Sequence, residues 1–113
     1  MDGNTALLFT RYGLGHAPED LQLTLASKFL ALTLETGQLP GKLLFYTDGV
    51  RLACEDSPVI DLLKRFEASG VELILCKTCL DAFGLTGLER AGIVGGMGDI
   101  LEVMQKASQV ISL

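Results

Sequence analysis

The sequence has no tryptophan, and histidine occurs only once among its 113 residues. A single imidazole excludes every site that needs two histidines from one chain. Aromatic residues make up only 6% of the chain, which argues against a base-stacking platform for single-stranded nucleic acid. Nine lysines and arginines stand against 14 acidic residues and form no basic cluster, so no binding to nucleic acid or to an anionic membrane is expected.

Long apolar runs and targeting signals are also lacking. No stretch of about 18 consecutive apolar residues occurs, so no membrane-spanning helix is predicted. The first five residues lack the basic and apolar regions of a secretory signal peptide. We therefore expect a cytoplasmic protein whose three cysteines are reduced at rest. In that compartment thiol chemistry or metal binding is favoured over structural disulfides.

The composition fits one compact domain that spans residues 1–113. Hydrophobic residues make up 49% of the chain and charged residues 20%, which excludes extended disorder. A chain of this size buries enough surface to fold without a metal or a disulfide. We find no repeat, linker or low-complexity segment.

Apolar runs alternate with helical segments along the chain. The strand-like runs are Thr5–Thr10, Lys42–Thr47, Val71–Cys76, Gly92–Gly95 and Val110–Leu113. The predicted helices are Pro18–Thr36, a second helix capped by Ser57 and ended by Gly70, Cys79–Phe83 and Asp99–Ala107. Such alternation predicts an α/β fold, with a mainly parallel sheet and helices on both of its faces.

Ligands of open parallel sheets bind outside the carboxyl ends of the strands. The segments predicted at those ends are Arg11–Ala17, Asp48–Glu55 and Cys76–Cys79. They contain all three cysteines and His16, the single histidine. This convergence is the main functional signal in the sequence.

The first predicted helix has two apolar faces. One face carries Leu21, Leu25, Phe29 and Leu32, and the nearly opposite face carries Leu23, Ala26, Leu30 and Leu34. One face packs on the sheet, while the other needs a partner because small monomers rarely expose such a stripe. We expect a homo-oligomer, unless a neighbouring helix of the same chain covers the second face.

Cys79 is the candidate nucleophile. It falls in the first turn of a predicted helix that Thr78 would cap, with Asp81 bonding back as in a capping box. Free N–H groups and the helix dipole at that end favour a thiolate, and Lys77 adds positive charge, so a lowered pKa is expected for the Cys79 thiol. The alternative is an inert thiol buried under the helix.

Each of the other candidate residues has either a structural or a functional role. Cys76 is either a small buried hydrophobe or a disulfide partner of Cys79. Cys54 either packs in the core or approaches the same cleft, and His16 is either a solvated loop residue or a proton donor or anion contact near Cys79. Three thiols and one imidazole would suffice in number for a zinc site, but a second Cys-x-x-Cys pair is missing. The stretch Gly95–Gly98 precedes a helix and is either a plain turn or an anion cradle.

Two stretches resemble a known family: GVRLACE at residues 49–55 and CKTCLDAFGL at residues 76–85. Together with Gly13-Leu14-Gly15 they resemble the DsrE/DsrF-like family, and most of all the carboxy-terminal domain of YedF-type proteins. The resemblance implies a flavodoxin-like three-layer α/β/α sandwich. It also implies dimers, trimers or hexamers, and in some members sulfur carried as a cysteine persulfide.

The resemblance places Cys54, Cys76 and Cys79 on positions of the YedF-type motif. It implies a sulfurtransferase or sulfur carrier in a sulfur or selenium relay, with Cys79 and Cys76 as catalytic residues. We expect no cofactor and no metal. Cys54, His16, Lys77 and Thr78 are the expected binding residues. Because YedF-type proteins carry an amino-terminal domain like the TusA and SirA carriers, and this chain starts at its first strand, we expect such a partner to be a separate protein. Two alternatives stay open, a non-catalytic oligomeric binding module and a dithiol redox protein.

Overall fold

A computed structural model describes all 113 residues and shows one five-stranded sheet in which every pairing is parallel. The strands are β1 (Thr5–Phe9), β2 (Lys42–Phe45), β3 (Glu72–Cys76), β4 (Ile93–Gly95) and β5 (Gln109–Ser112), in the spatial order β4-β3-β2-β1-β5. The flavodoxin order is 2-1-3-4-5. Here the last strand, rather than the second, takes the edge position beside β1.

Helices cover both faces of the sheet, so the predicted three-layer α/β class is confirmed. They are α1 (Glu19–Thr36), α2 (Ile60–Ala68), α3 (Lys77–Ala82) and α4 (Met97–Lys106), with a 3₁₀ segment at Thr47–Ala53. Helices α1 and α2 pack together, and α4 packs on β3 and β4. Because parallel crossovers are right-handed, α4, which leads the chain back to β5, lies on the face opposite α1 and α2. No helix combines the length and the apolar character that crossing a bilayer requires.

The core lies around the three central strands. Every residue of β1 is buried, and so are Leu43–Phe45 of β2 and Leu73–Cys76 of β3. Strands covered on both faces read as continuous apolar runs, which is why the sequence pattern located them well. The rings of Phe9 and Phe45 stack at 5.1 Å between β1 and β2.

Helix α1 begins and ends where the sequence predicts. Pro18 precedes its first turn, where a residue without an N–H costs nothing. Gly37 ends it in the left-handed conformation with φ 72° and donates its N–H to the carbonyl of Leu34.

The starts of the other three helices differ from the prediction. Ser57 does not cap α2, because its hydroxyl accepts the Val59 N–H at 3.3 Å in a turn and the helix begins at Ile60. Helix α3 begins two residues earlier than predicted. In α4, which begins at Met97, the Asp99 carboxylate accepts the Gly96 N–H at 2.8 Å, so a side chain of this chain occupies the proposed anion cradle.

Candidate functional site

The carboxyl ends of β1, β2 and β3 meet at one residue, Thr47. Its hydroxyl lies 2.5 Å from the carbonyl oxygen of Thr10, which follows β1, and 2.7 Å from that of Tyr46. Its backbone N–H donates to Sγ of Cys79, in the helix that follows β3, with 3.0 Å between nitrogen and sulfur. The strand ends therefore meet at a threonine, and Cys79 is the predicted site residue that bonds to it.

Thr47 has a backbone conformation that threonine rarely adopts. Its φ is +49°, in the left-handed region, where a β-branched residue is an outlier. Such strain costs on the order of 1–3 kcal/mol and is concentrated at functional sites. Thr47 could not be identified from the sequence, because nothing in the local pattern Tyr46-Thr47-Asp48 signals a positive φ at a β-branched residue.

Cys79 is the accessible thiol of the chain. Its side chain is half-buried, whereas Cys54 and Cys76 are each 1% exposed. Burial raises the pKa of the Cys79 thiol above its ordinary value. The Thr47 N–H lowers it and the neighbouring Cys76 thiol raises it further. The net direction is opposite to the lowered pKa that the sequence suggested, because desolvation of the thiolate outweighs the single N–H that faces it.

The predicted cap of α3 does not form. Helix α3 begins at Lys77 with Cys76 as its N-cap, so Thr78 lies exposed inside the first turn and bonds nothing as a cap. The Asp81 carboxylate instead accepts hydrogen bonds from Lys77 Nζ at 2.7 Å and from Thr86 at 2.6 Å. Those two bonds lower the pKa of Asp81, and Lys77 is committed to this ion pair.

Cys76 and Cys79 lie close enough together for the Cys76 thiol to raise the pKa of the Cys79 thiol. Cys76 closes β3 and is fully enclosed by the core. Nowhere in the chain do three His, Cys, Asp or Glu side chains converge to hold a metal ion.

Cys54 packs in a different place. It forms an isolated antiparallel bridge with Glu89, flanked by a bond from the Glu55 N–H to the Leu88 carbonyl at 2.9 Å. Burial raises the pKa of Cys54, the Glu89 carboxylate adds to the rise, and Arg90 opposes it. These neighbours favour the packing interpretation of Cys54 over a role in the cleft.

The loop after β1, which carries His16, is braced against the 3₁₀ segment. The Arg51 guanidinium lies 4.3 Å from the centre of the Tyr12 ring and 3.9 Å from the Glu19 carboxylate. His16 itself is exposed and makes no hydrogen bond. The geometry thus supports the solvated interpretation of His16.

The surface grooves of the molecule lie away from this site. Three open grooves of about 300–340 Å³ lie on the surface, and neither Thr47 nor Cys79 lines any of them. Cys79 instead lies, half-buried, at the carboxyl edge of the sheet.

The three cysteines should differ sharply in reactivity. We expect iodoacetamide to modify Cys79 alone in the native protein, faster as pH rises, because the thiolate reacts and its pKa is raised. Trypsin separates the three thiols onto the peptides Leu52–Lys64, Phe66–Lys77 and Thr78–Arg90, so mass spectrometry reads each one. The control is the same reaction in denaturant, where all three should react. Equal labelling of Cys76 and Cys79 in the native protein would contradict the burial described here.

Fold and site together define an α/β protein with an accessible thiol at the carboxyl edge of a parallel sheet, held by a backbone N–H from the neighbouring strand end. The model of the DsrE/DsrF-like family matches residues 10–113. The chain therefore belongs to the DsrE/DsrF-like family, as its motifs indicated.

Solved structures with the same fold cover the whole chain. The ychN protein from E. coli aligns over 100% of both chains with a TM-score of 0.69 and 20% identity. A protein of unknown function from Methanobacterium thermoautotrophicum aligns over 96% of this chain and 97% of its own, with a TM-score of 0.71 and 17% identity. One from Bacteroides thetaiotaomicron, also of unknown function, covers 97% and 95%, with a TM-score of 0.63 and 15% identity. At these identities the similarity establishes the fold alone. No curated protein matches the sequence significantly.

Proposed function

We propose that this protein handles sulfane sulfur as a persulfide on Cys79, acting as a sulfur carrier or sulfurtransferase. The observation that carries the proposal is the bond from the Thr47 N–H to Sγ of Cys79, in a member of the DsrE/DsrF-like family. Strained backbone is concentrated at functional sites, and the strained Thr47 donates its N–H to Sγ of Cys79, which supports Cys79 as the reacting residue.

The proposed loading step moves one neutral sulfur atom. The Cys79 thiolate attacks the outer sulfur of a donor hydropersulfide, R–S–SH. A new bond forms between Sγ and that sulfur, the donor S–S bond breaks, and the donor leaves as the thiolate R–S⁻. Unloading is the same exchange with an acceptor thiolate, which leaves Cys79 as a thiolate. Neither step needs an external oxidant or reductant.

Cys76 has a defined place in this scheme. If its thiol attacked the Cys79 persulfide, the products would be a Cys76–Cys79 disulfide and hydrogen sulfide. Cys76 is 1% exposed, so external donors and acceptors do not reach its thiol directly. We therefore assign Cys76 a packing role beside the reactive thiol, and a disulfide found after loading would favour the dithiol redox function.

The acceptor fits best as a protein that presents its own cysteine. Cys79 is half-buried and lines none of the surface grooves, so a protein-borne thiol would reach it without entering a pocket. The chain carries a net charge of −5, which favours a carrier with a basic docking face, such as a TusA-like protein.

We further propose that the exposed face of α1 joins copies of this chain. Leu21, Leu25 and Leu32 are 48%, 42% and 59% exposed on that face, while Ala26 and Leu30 on the opposite face are buried. The folded chain leaves about half of each of these three leucines exposed to solvent. Burying a leucine contributes about 1.5–3 kcal/mol, so a symmetric contact between two α1 helices would gain from several of them.

Leu25→Glu should therefore dissociate the oligomer without unfolding the domain. A carboxylate at the centre of an apolar contact must be desolvated, which costs far more than the leucine contact gives. Sedimentation velocity should show wild type above monomer mass and the variant at monomer mass. Gln105→Glu adds the same charge on exposed α4 and should leave the mass unchanged. A monomeric wild type at micromolar concentration would refute this interface.

Cyanide tests the sulfur-handling proposal directly, because it removes a sulfane sulfur as thiocyanate and returns the thiol. Protein incubated with polysulfide and then freed of excess reagent should release about one thiocyanate per chain. Protein with its thiols protected beforehand by iodoacetamide is the control and should release none. No thiocyanate from intact thiols would contradict the proposal and favour the binding-module function.

A further inference from the structure

The side chain of Thr47 is tied to the end of β1 by a hydrogen bond from its hydroxyl, which we call the tether. A glycine could hold φ +49° at no cost, yet the chain uses a threonine whose hydroxyl bonds back to the Thr10 carbonyl at 2.5 Å. That bond fixes the peptide between the ends of β1 and β2. The N–H of the same residue is thereby directed away from the sheet and onto Sγ of Cys79.

We propose that Thr47 is a positioning residue, whose hydroxyl holds its own N–H on Sγ of Cys79 and so stabilises negative charge on that sulfur atom. The proposal rests on the proposed function for one consequence only, that the same N–H makes Cys79 a good leaving group. The charge stabilisation itself does not depend on what Cys79 carries.

The consequence for sulfur transfer follows from where the charge lies. In a persulfide anion the charge is mainly on the terminal sulfur, and Sγ is the inner, nearly neutral atom. When an acceptor thiolate takes the terminal sulfur, the electron pair of the broken S–S bond returns to Sγ. The Thr47 N–H therefore bonds most strongly to the unloaded thiolate, because hydrogen bonds to ions are roughly twice as strong as neutral ones. It favours the step that delivers sulfur.

Two matched variants distinguish the effect of the hydroxyl bond from that of the left-handed backbone. Thr47→Ser keeps the hydroxyl, whereas Thr47→Gly can adopt the same backbone conformation but has no hydroxyl. We measure the rate of Cys79 alkylation by iodoacetamide against pH, read on the peptide Thr78–Arg90, which excludes the neighbouring Cys76. Without the hydroxyl, the backbone N–H of residue 47 is no longer held on Sγ, and losing that bond to an anion should move the half-point up by about one pH unit in Thr47→Gly, since such bonds contribute roughly 1.5 kcal/mol or more. Thr47→Ser should titrate like wild type.

A structural role alone would change the melting temperature and leave that half-point in place. A wild-type half-point in folded Thr47→Gly overturns the proposal. A second readout needs no variant of Thr47: in ¹⁵N spectra of the wild type, the Thr47 amide proton should shift downfield with the Cys79 titration, and the shift should vanish in Cys79→Ser. A Thr47 amide that ignores the Cys79 titration equally overturns it. Neither measurement uses sulfur loading, so its outcome is independent of the cyanide experiment.

Discussion

Cys79→Ala is expected to reduce the thiocyanate released after polysulfide loading to background. Cys79 is the one thiol that is both accessible and in contact with a hydrogen-bond donor, so no other cysteine can replace it. Cys54 and Cys76 are enclosed in the core, where polysulfide does not reach them without local unfolding. The expected loss is therefore complete, and larger than any effect of a neighbouring substitution.

Cys76→Ser is the matched control, because it removes a thiol from the adjacent turn and leaves Cys79 intact. It should retain most of the thiocyanate yield, and circular dichroism should confirm that both variants are folded. Equal losses in the two variants would indicate a dithiol mechanism. A wild-type thiocyanate yield from Cys79→Ala would show that Cys79 does not carry the sulfur.

Gly49→Ala is expected to lower the melting temperature by about 10 °C or more, which corresponds to roughly 3 kcal/mol in a domain of this size. The 3₁₀ segment passes so close to β1 that a Cβ at Gly49 would overlap the carbonyl oxygen of Phe9. Both groups are backbone, so neither can rotate away. The segment would have to shift and would carry Thr47 with it.

Gly98→Ala is the control for this prediction. Gly98 lies in α4 with open space around its Cα, so alanine there should stabilise the helix by about 0.5–1 kcal/mol. Thermal denaturation of both variants against wild type provides the comparison. A Gly49→Ala protein that melts like wild type would show that the segment does not pack on β1 as described.

The fold was predictable because its signals are local. The buried runs around Leu7, Leu44 and Ile74 are apolar on both faces, and Gly37 ends α1 by a conformation that glycine adopts freely. The position of Cys79 at the carboxyl edge followed from chain order and the parallel sheet. Helix starts were predicted less well. Thr78 and Ser57 are good caps in isolation, but α3 begins before Thr78, and the Ser57 hydroxyl accepts the Val59 N–H in a turn that precedes α2.

The chemistry around Cys79 could not be predicted in the same way. The contact between Thr47 and Cys79 joins residues 32 positions apart, and the left-handed backbone of Thr47 has no signal in its neighbours along the chain. The prediction of a lowered pKa for the Cys79 thiol was wrong for a related reason. Local sequence suggests a helix start and a nearby lysine, whereas burial depends on tertiary packing and Lys77 is taken by Asp81.

The most direct test of the account is the location of the sulfur in the wild-type protein. After brief exposure to polysulfide, native protein is blocked with an alkylating agent, digested with trypsin and mapped by mass spectrometry. The account predicts an added sulfur atom on the peptide Thr78–Arg90, which holds Cys79, and none on Leu52–Lys64 or Phe66–Lys77. Added sulfur on the Cys54 or Cys76 peptide, with Cys79 unmodified, would contradict it.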